Sequence, residues 1–236
     1  MLSVRFESTY ANVAPLTVDV DGADDERIAR AVALEALAKA GKPITYRRLD
    51  NVEFSFANLT GAVFRSCSFP GAKFSGTDLT HTTFSGCDFS GIDRGGGTAD
   101  PANFDADANL TNAVLVSCNC EGVDFGGAKL EGAEFNGTNL RRADMRGVKA
   151  QGAKFYRCRT GGSSWTGADM RWSLCYGLER ATDLLLQFDG NDADRCALVW
   201  FQDLFRQIGS PAVPSVDAAK ACAIAAAEKT CGCLTT

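Results

Sequence analysis

The chain holds one histidine, His81, and ten cysteines, so acid–base and thiol chemistry are the first possibilities to weigh. A Ser/His/Asp relay or a Cys/His pair needs an imidazole beside its nucleophile, and no spacing around His81 suggests either. The tail segment Cys231-Gly232-Cys233 offers two thiols that could bind a metal or form a mixed disulfide, but a tetrahedral site asks for more ligands. Gly95-Gly96-Gly97 lacks the lysine and helix that complete a phosphate-cradling loop. Carboxylates abound, yet they recur at the polar positions of a regular array. The expectation is a protein that is not an enzyme, with no catalytic residue, no metal site and no cofactor.

The elements that carry these residues follow from a repeat. From Phe54, every fifth residue is Phe or Leu: Phe54, Leu59, Phe64, Phe69, Phe74, Leu79, Phe84 and Phe89. A second register begins six residues after Phe104 and runs Leu110, Leu115, Cys120, Phe125, Leu130, Phe135, Leu140 and Met145. It continues less faithfully through Ala150, Phe155, Thr160, Trp165 and Met170. Two residues before each large side chain stands a small one, such as Ala57, Ala62, Cys67, Ala72, Thr77, Cys87, Cys118 or Cys158. Gly or Ser often follows two residues after the large one.

A period of five fits neither the 3.6 of a helix nor the 2.0 of a strand. If the chain turns a corner once per repeat, the small and the large residue both point toward one axis. Four repeats then close a coil of 20 residues, and stacked coils pair their backbone groups at a spacing of about 4.8 Å. Such an array buries its core only against its neighbours, as a solenoid does. On this reading Cys67, Cys87, Cys118 and Cys158 are packing residues. Cys67 and Cys87 stack on adjacent coils, where a disulfide would require their side chains to turn toward each other.

Segments such as Phe54-Ser55-Phe56-Ala57-Asn58-Leu59-Thr60-Gly61-Ala62 and Ala143-Asp144-Met145-Arg146-Gly147 match an A-(D/N)-L-x-x signature. Over about Leu49 to Cys175 the chain resembles the pentapeptide-repeat family. The resemblance implies a mainly β fold, a right-handed quadrilateral β-helix. Three regions are expected: an N-terminal strand and helix cap over 1–48, the solenoid over 49–175 with a loop insertion near 90–103, and C-terminal α-helices over 176–236.

The cap is read from the alternation of Leu2–Glu7 and Thr17–Asp21 and from a helix over Asp24–Ala40, stopped by Gly41 and Pro43. Ile28, Val32 and Leu37 are expected to lie on the first coil. The loop, Ser90 to Pro101, has three successive glycines and a proline; it is either a neutral insertion or a recognition loop. Its candidate partner-binding residues are Asp93, Arg94, Asp100, Asp105 and Asp107. In the tail, Trp200, Phe201, Leu204 and Phe205 are candidates for a cap or dimer contact, since some members of the family dimerise through C-terminal segments.

The chain has 236 residues, 45% of them hydrophobic, and a net charge of −5, which speaks against a globally basic nucleic-acid binder. No apolar stretch suits a membrane span, and Met1 to Glu7 lacks the features of a secretory signal, so a cytoplasmic protein is expected. Charge is polarised along the repeat. Asp50 to Glu134 holds 12 acidic and 4 basic residues, a net of −8, while Phe135 to Cys175 holds 2 acidic and 8 basic, a net of +6. Asp78, Asp88, Glu121, Asp124, Glu131 and Glu134 are the candidate acidic face. The resemblance implies a protein-binding module, with the quinolone-resistance and gyrase-inhibiting members as the nearest functional analogy: a rod of DNA-like width and negative surface. A regulatory scaffold that docks another protein through its loop or C-terminal helices is the alternative, and direct nucleic-acid binding by the basic end is the third reading.

Overall fold

The computed structural model describes residues 2–21, 26–91, 100–105, 107–171 and 173–179. The expected C-terminal helices, the Cys231 and Cys233 thiols, and Trp200, Phe201, Leu204 and Phe205 lie outside them.

A corner follows every large inward residue. The Ala57 N–H donates to the Phe54 carbonyl at 2.8 Å, and Phe56 between them has φ +63°. Those are the marks of a type II turn, which requires a left-handed third residue. The same left-handed backbone recurs at five-residue intervals, through Gly61, Ser66, Gly71, Gly76, His81 and Gly86, and resumes from Asn112. This explains the Gly and Ser noted in the sequence, and it places His81 at an exposed corner.

Between corners the chain is short and extended, and coil stacks on coil in parallel register. On one side of the square lies a seven-stranded parallel sheet of β3 (Ile44–Thr45), β4 (Val63–Arg65), β5 (Thr83–Ser85), β6 (Val114–Val116), β7 (Glu134–Asn136), β8 (Lys154–Tyr156) and β9 (Leu174–Tyr176). Phe64 pairs with Phe84 and Phe135 with Phe155, twenty residues on. Single bridges at the same spacing hold the other three sides, giving a mainly β solenoid of about six turns. We number the sides by their inward residues: first face Phe54, Phe74, Phe104 and Phe125; second Leu59, Leu79, Leu110 and Leu130; third the sheet; fourth Leu49, Phe69, Phe89, Cys120 and Leu140.

Every one of these inward residues is buried. Rings on one face stack almost parallel, with Phe54, Phe74, Phe104 and Phe125 separated by 4.7, 4.4 and 4.9 Å. Rings on neighbouring faces meet edge-on, as Phe84 and Phe89 do at 5.1 Å. The small inward slot is closed economically. Thr77 and Thr82 donate their hydroxyls to the Phe54 and Leu59 carbonyls of the coil below, each at 2.8 Å, so no buried hydroxyl there is left unpaired.

The insertion leaves the stack in register. Lys73 pairs with Asn103, thirty residues on, and Asp78 with Asn109, thirty-one on. Ten extra residues therefore leave and return at the corner between fourth and first faces, and the Ala102 N–H closes onto the Phe89 carbonyl at 2.9 Å. The eleventh sits between Asn103 and Asn109, where the six-residue step from Phe104 to Leu110 places it.

The N-terminal end is covered by an antiparallel hairpin, β1 (Leu2–Phe6) with β2 (Leu16–Val20), and by helix α1 (Glu26–Lys39). The helix ends at Gly41 (φ +64°), whose N–H donates to the Ala38 carbonyl, a left-handed stop. The expected inward stripe is corrected here: Ile28 and Val32 are 54% and 38% exposed, and Ala29, Ala33 and Leu34 are buried instead. Small alanines let the helix approach the hairpin and β3 closely, which turns the larger side chains outward.

Candidate interaction surface

Outward-pointing residues flank each inward one, and the one before it holds most of the Asp and Asn. Its side-chain oxygen accepts the N–H two residues further on: Asn58 from Thr60 (3.1 Å), Asp78 from Thr80 (3.0 Å), Asp88 from Ser90 (3.1 Å), Asp124 from Gly126 (2.8 Å) and Asp144 from Arg146 (3.0 Å). Each is an Asx turn, a local reason for Asp or Asn at that step of the repeat. Carboxylates so held are fixed in direction. Burial opposes ionisation of Asp78, but the Thr80 hydroxyl and amide outweigh it and keep its pKa below the ordinary value.

The six residues expected to form an acidic face do not share one. Asp78 and Glu131 lie on the second face, Glu134 on the third, Asp88 and Glu121 on the fourth and Asp124 on the first. Away from the insertion residues twenty apart stack, so acids spaced by ten, such as Asp78 and Asp88 or Glu121 and Glu131, fall on opposite sides.

Of the loop residues, Asp93 and Arg94 lie outside the described residues. Asp100 and Asp107 are exposed, and the Asp100 carbonyl accepts the N–H of the corner residue Gly71. Asp105, on the first face, accepts the Ser75 hydroxyl at 2.6 Å, while its other oxygen has no hydrogen-bond partner. Asp105 thus shares the first face with Asp124, while Asp100 and Asp107 stand at the two opposite corners of that face.

The basic half is partly neutralised from within. Arg146 grips Asp144, Arg171 grips Asp169 (2.7 Å), Arg142 reaches Glu121 (3.3 Å), and Arg141 holds Glu179 with a Nε–Oε2 distance of 3.0 Å. The guanidinium contacts hold the Asp144 and Asp169 carboxyls below the usual carboxylate range. Arg157 and Arg159 are exposed, and among the described residues no carboxylate lies within ion-pair distance of either. Around Gly161, a cleft of about 330 Å³ is lined by Arg141, Arg142, Glu121 and Glu179.

Cys67, Cys87, Cys118, Cys120, Cys158 and Cys175 are all free and buried. Burial raises the Cys67, Cys87 and Cys120 thiols and pushes those of Cys158 and Cys175 up to about 12. They are packing residues, as the repeat implies. Among the described residues no cluster of His, Cys, Asp or Glu could hold a metal ion, and no helix is long and apolar enough to cross a membrane. Sequence reasoning missed Phe56, which is 81% exposed at its left-handed corner. The period alone could have found it, since it stands two places after an inward residue.

The geometry defines a β-solenoid that presents side chains from stacked coils. Residues 48–93, 106–132 and 124–159 match the family model for pentapeptide repeats in eight copies, and the chain belongs over these residues to the pentapeptide-repeat family. Among solved structures it is similar to a trypsin-treated variant of QnrB1, a plasmid-mediated fluoroquinolone resistance protein. That match is 25% identical, covers 58% of this chain and 67% of that one, and has a TM-score of 0.51. A pentapeptide repeat protein of the Arabidopsis thaliana thylakoid lumen matches at 24% identity over 44% of this chain and 62% of that one, TM-score 0.34. HetL, a pentapeptide repeat protein involved in heterocyst differentiation regulation from Nostoc sp. strain PCC 7120, matches at 19% over 56% and 63%, TM-score 0.32. No curated protein matches the chain.

Proposed function

We propose that the solenoid is a protein-docking post whose acidic first half engages a DNA-handling enzyme of the gyrase or topoisomerase class. The observation that carries this is the likeness to QnrB1, together with a net of −8 on the coils from Asp50 to Glu134. Carboxylates held by Asx turns on a rigid coil present negative charge without reorganisation, which favours electrostatic steering of a basic partner.

A gyrase supercoiling reaction, with and without a fluoroquinolone, tests it. Added protein at about micromolar concentration should change supercoiling or drug sensitivity, and no effect at that level removes the reading. The triple variant Asp78→Asn, Asp88→Asn, Asp124→Asn keeps each turn acceptor while removing three charges. Its effect on the enzyme should be weaker at unchanged fold.

A second reading is a scaffold that docks a different protein. It is favoured by the spread of acids over four faces and by the basic end, both unlike a uniform negative rod. Deleting residues 92–99 separates the roles. The chain exits and returns at one corner, so thermal stability should hold, and a recognition loop would show itself by lost partner capture.

A further inference from the structure

The fourth face changes character at its upper end. On the lower coils an outward Asp or Asn takes the N–H two places on: Asp88 from Ser90, Asn119 from Glu121 and Asn139 from Arg141. One coil higher the same step is Arg159, which has no acceptor to offer. The Gly161 N–H is left without an acceptor among the described residues. Gly161 also leaves empty the position that Glu121 and Arg141 fill on the coils below, and there the cleft of about 330 Å³ opens. The Arg142 N–H donates to the Gly161 carbonyl at 3.1 Å and anchors the glycine to the coil beneath.

Three guanidinium groups border this unused donor. Arg141 spans the empty position to hold Glu179. Arg142 reaches Glu121 at 3.3 Å with its side chain 79% exposed, and an ion pair so open to water is easily exchanged. Arg159 stands two places before Gly161 on the same side and is exposed.

We propose that this cleft binds a single dianionic phosphate group, held by Arg159, by Arg142 swung away from Glu121, and by the Gly161 N–H. Planar guanidinium forks and a backbone N–H suit the oxygens of a phosphate better than a point charge would. Arg141, spent on Glu179, keeps the wall of the cleft in place. The arrangement fits one phosphate and not a polyanion. Asp88 and Glu121 continue the same face downward and Glu179 stands above, so a nucleic-acid backbone following the rod would meet carboxylates in both directions. The site is separate from the acidic coils and does not depend on the gyrase reading.

Amide NMR spectra of the full chain test it, with inorganic phosphate and a glycine-flanked phosphoserine peptide as probes. Phosphate should shift the Gly161 amide at about millimolar concentration, and the unphosphorylated peptide should not. A phosphopeptide that binds about tenfold tighter than the ion would identify a modified protein as the source, and equal affinity the free ion. Arg159→Asn restores the acceptor present in Asn119 and Asn139 while removing a charge, and Arg142→Gly copies Gly122 and Gly162 at the same corner. Each should weaken binding about tenfold. Arg157→Asn removes an equal charge at the opposite corner of the face, where Asn51 and Asn112 show that asparagine accepts a left-handed backbone. It should change affinity less than about twofold. The remaining amide shifts report in the same spectra that each variant is folded. A Gly161 amide unmoved by phosphate, equal losses from Arg157→Asn and Arg159→Asn, or duplex DNA shifting that amide at lower concentration than the phosphopeptide would each overturn the proposal.

Discussion

The first coils and the last coils build the same square with different materials. From Phe54 to Phe104 the inward column is almost all phenylalanine, stacked ring on ring at 4.4–5.1 Å on each face that carries it. From Leu110 onward the same slots mix three Phe (Phe125, Phe135 and Phe155) with Leu, Cys, Met, Ala, Thr and one Trp, and they are equally buried. Where Ala150 and Thr160 underfill their slots, Met145, Trp165 and Met170 stand on the flanking coils and faces. The fold therefore asks for a size rhythm and a left-handed corner, not for a particular side chain. What changes between the halves is how much each slot contributes and which charge sits outside it.

The largest expected contrast is in thiol reactivity. Six described thiols are buried, so at most four of the ten cysteines should react quickly with a thiol reagent in the folded protein. Labelling of Cys67 and Cys87 should be slowed about 1,000-fold or more against the unfolded chain, and Cys158 and Cys175 should open sooner. Equal protection of both pairs, read by mass spectrometry, would erase the contrast.

Core truncation comes next. Phe74→Ala removes a ring stacked on both sides and should cost about 4 kcal/mol in denaturant unfolding, while Met145→Ala should cost about 2–3 kcal/mol. Equal losses would mean that stacking adds nothing beyond size.

Corners give a smaller effect. At Gly71 (φ +67°) an added Cβ would lie 2.2 Å from Asn51 Oδ1, whereas at Gly147 (φ +64°) nothing lies within 4 Å. Gly71→Ala should cost about 2 kcal/mol and Gly147→Ala about 1 kcal/mol, the bare left-handed penalty. Similar losses in thermal melts would show that Asn51 simply moves aside.

The smallest effect is electrostatic. Arg146 and Arg171 depress the pKa values of Asp144 and Asp169, so the stabilisation is complete above the ordinary carboxylate range and is lost as pH falls through the lower folded values. Both pairs are open to water, and their contribution should stay below about 1 kcal/mol. Asp144→Asn should flatten the stability profile below about pH 4 and leave neutral pH nearly unchanged.

The period of five made the core readable in advance, down to the extra residue between Phe104 and Leu110, because each inward slot announces itself by size. Surface geometry was less legible. A net of −8 counted along the chain says nothing of direction until the coil closes; only then do Asp78 and Asp88 fall on opposite sides. Nor does a charge count reveal that Asp78, Asp88 and Asp124 are turn formers. Ile28 and Val32 misled because apolar residues at helical spacing usually mark the packed stripe, and here alanines took that place.

The corner from which residues 92–99 depart has an engineering consequence. Because Phe89 and Ala102 stay joined by a backbone hydrogen bond, the stack closes its corner independently of the residues between them. A foreign peptide could be spliced in at that height, and the coils above and below would keep their alignment.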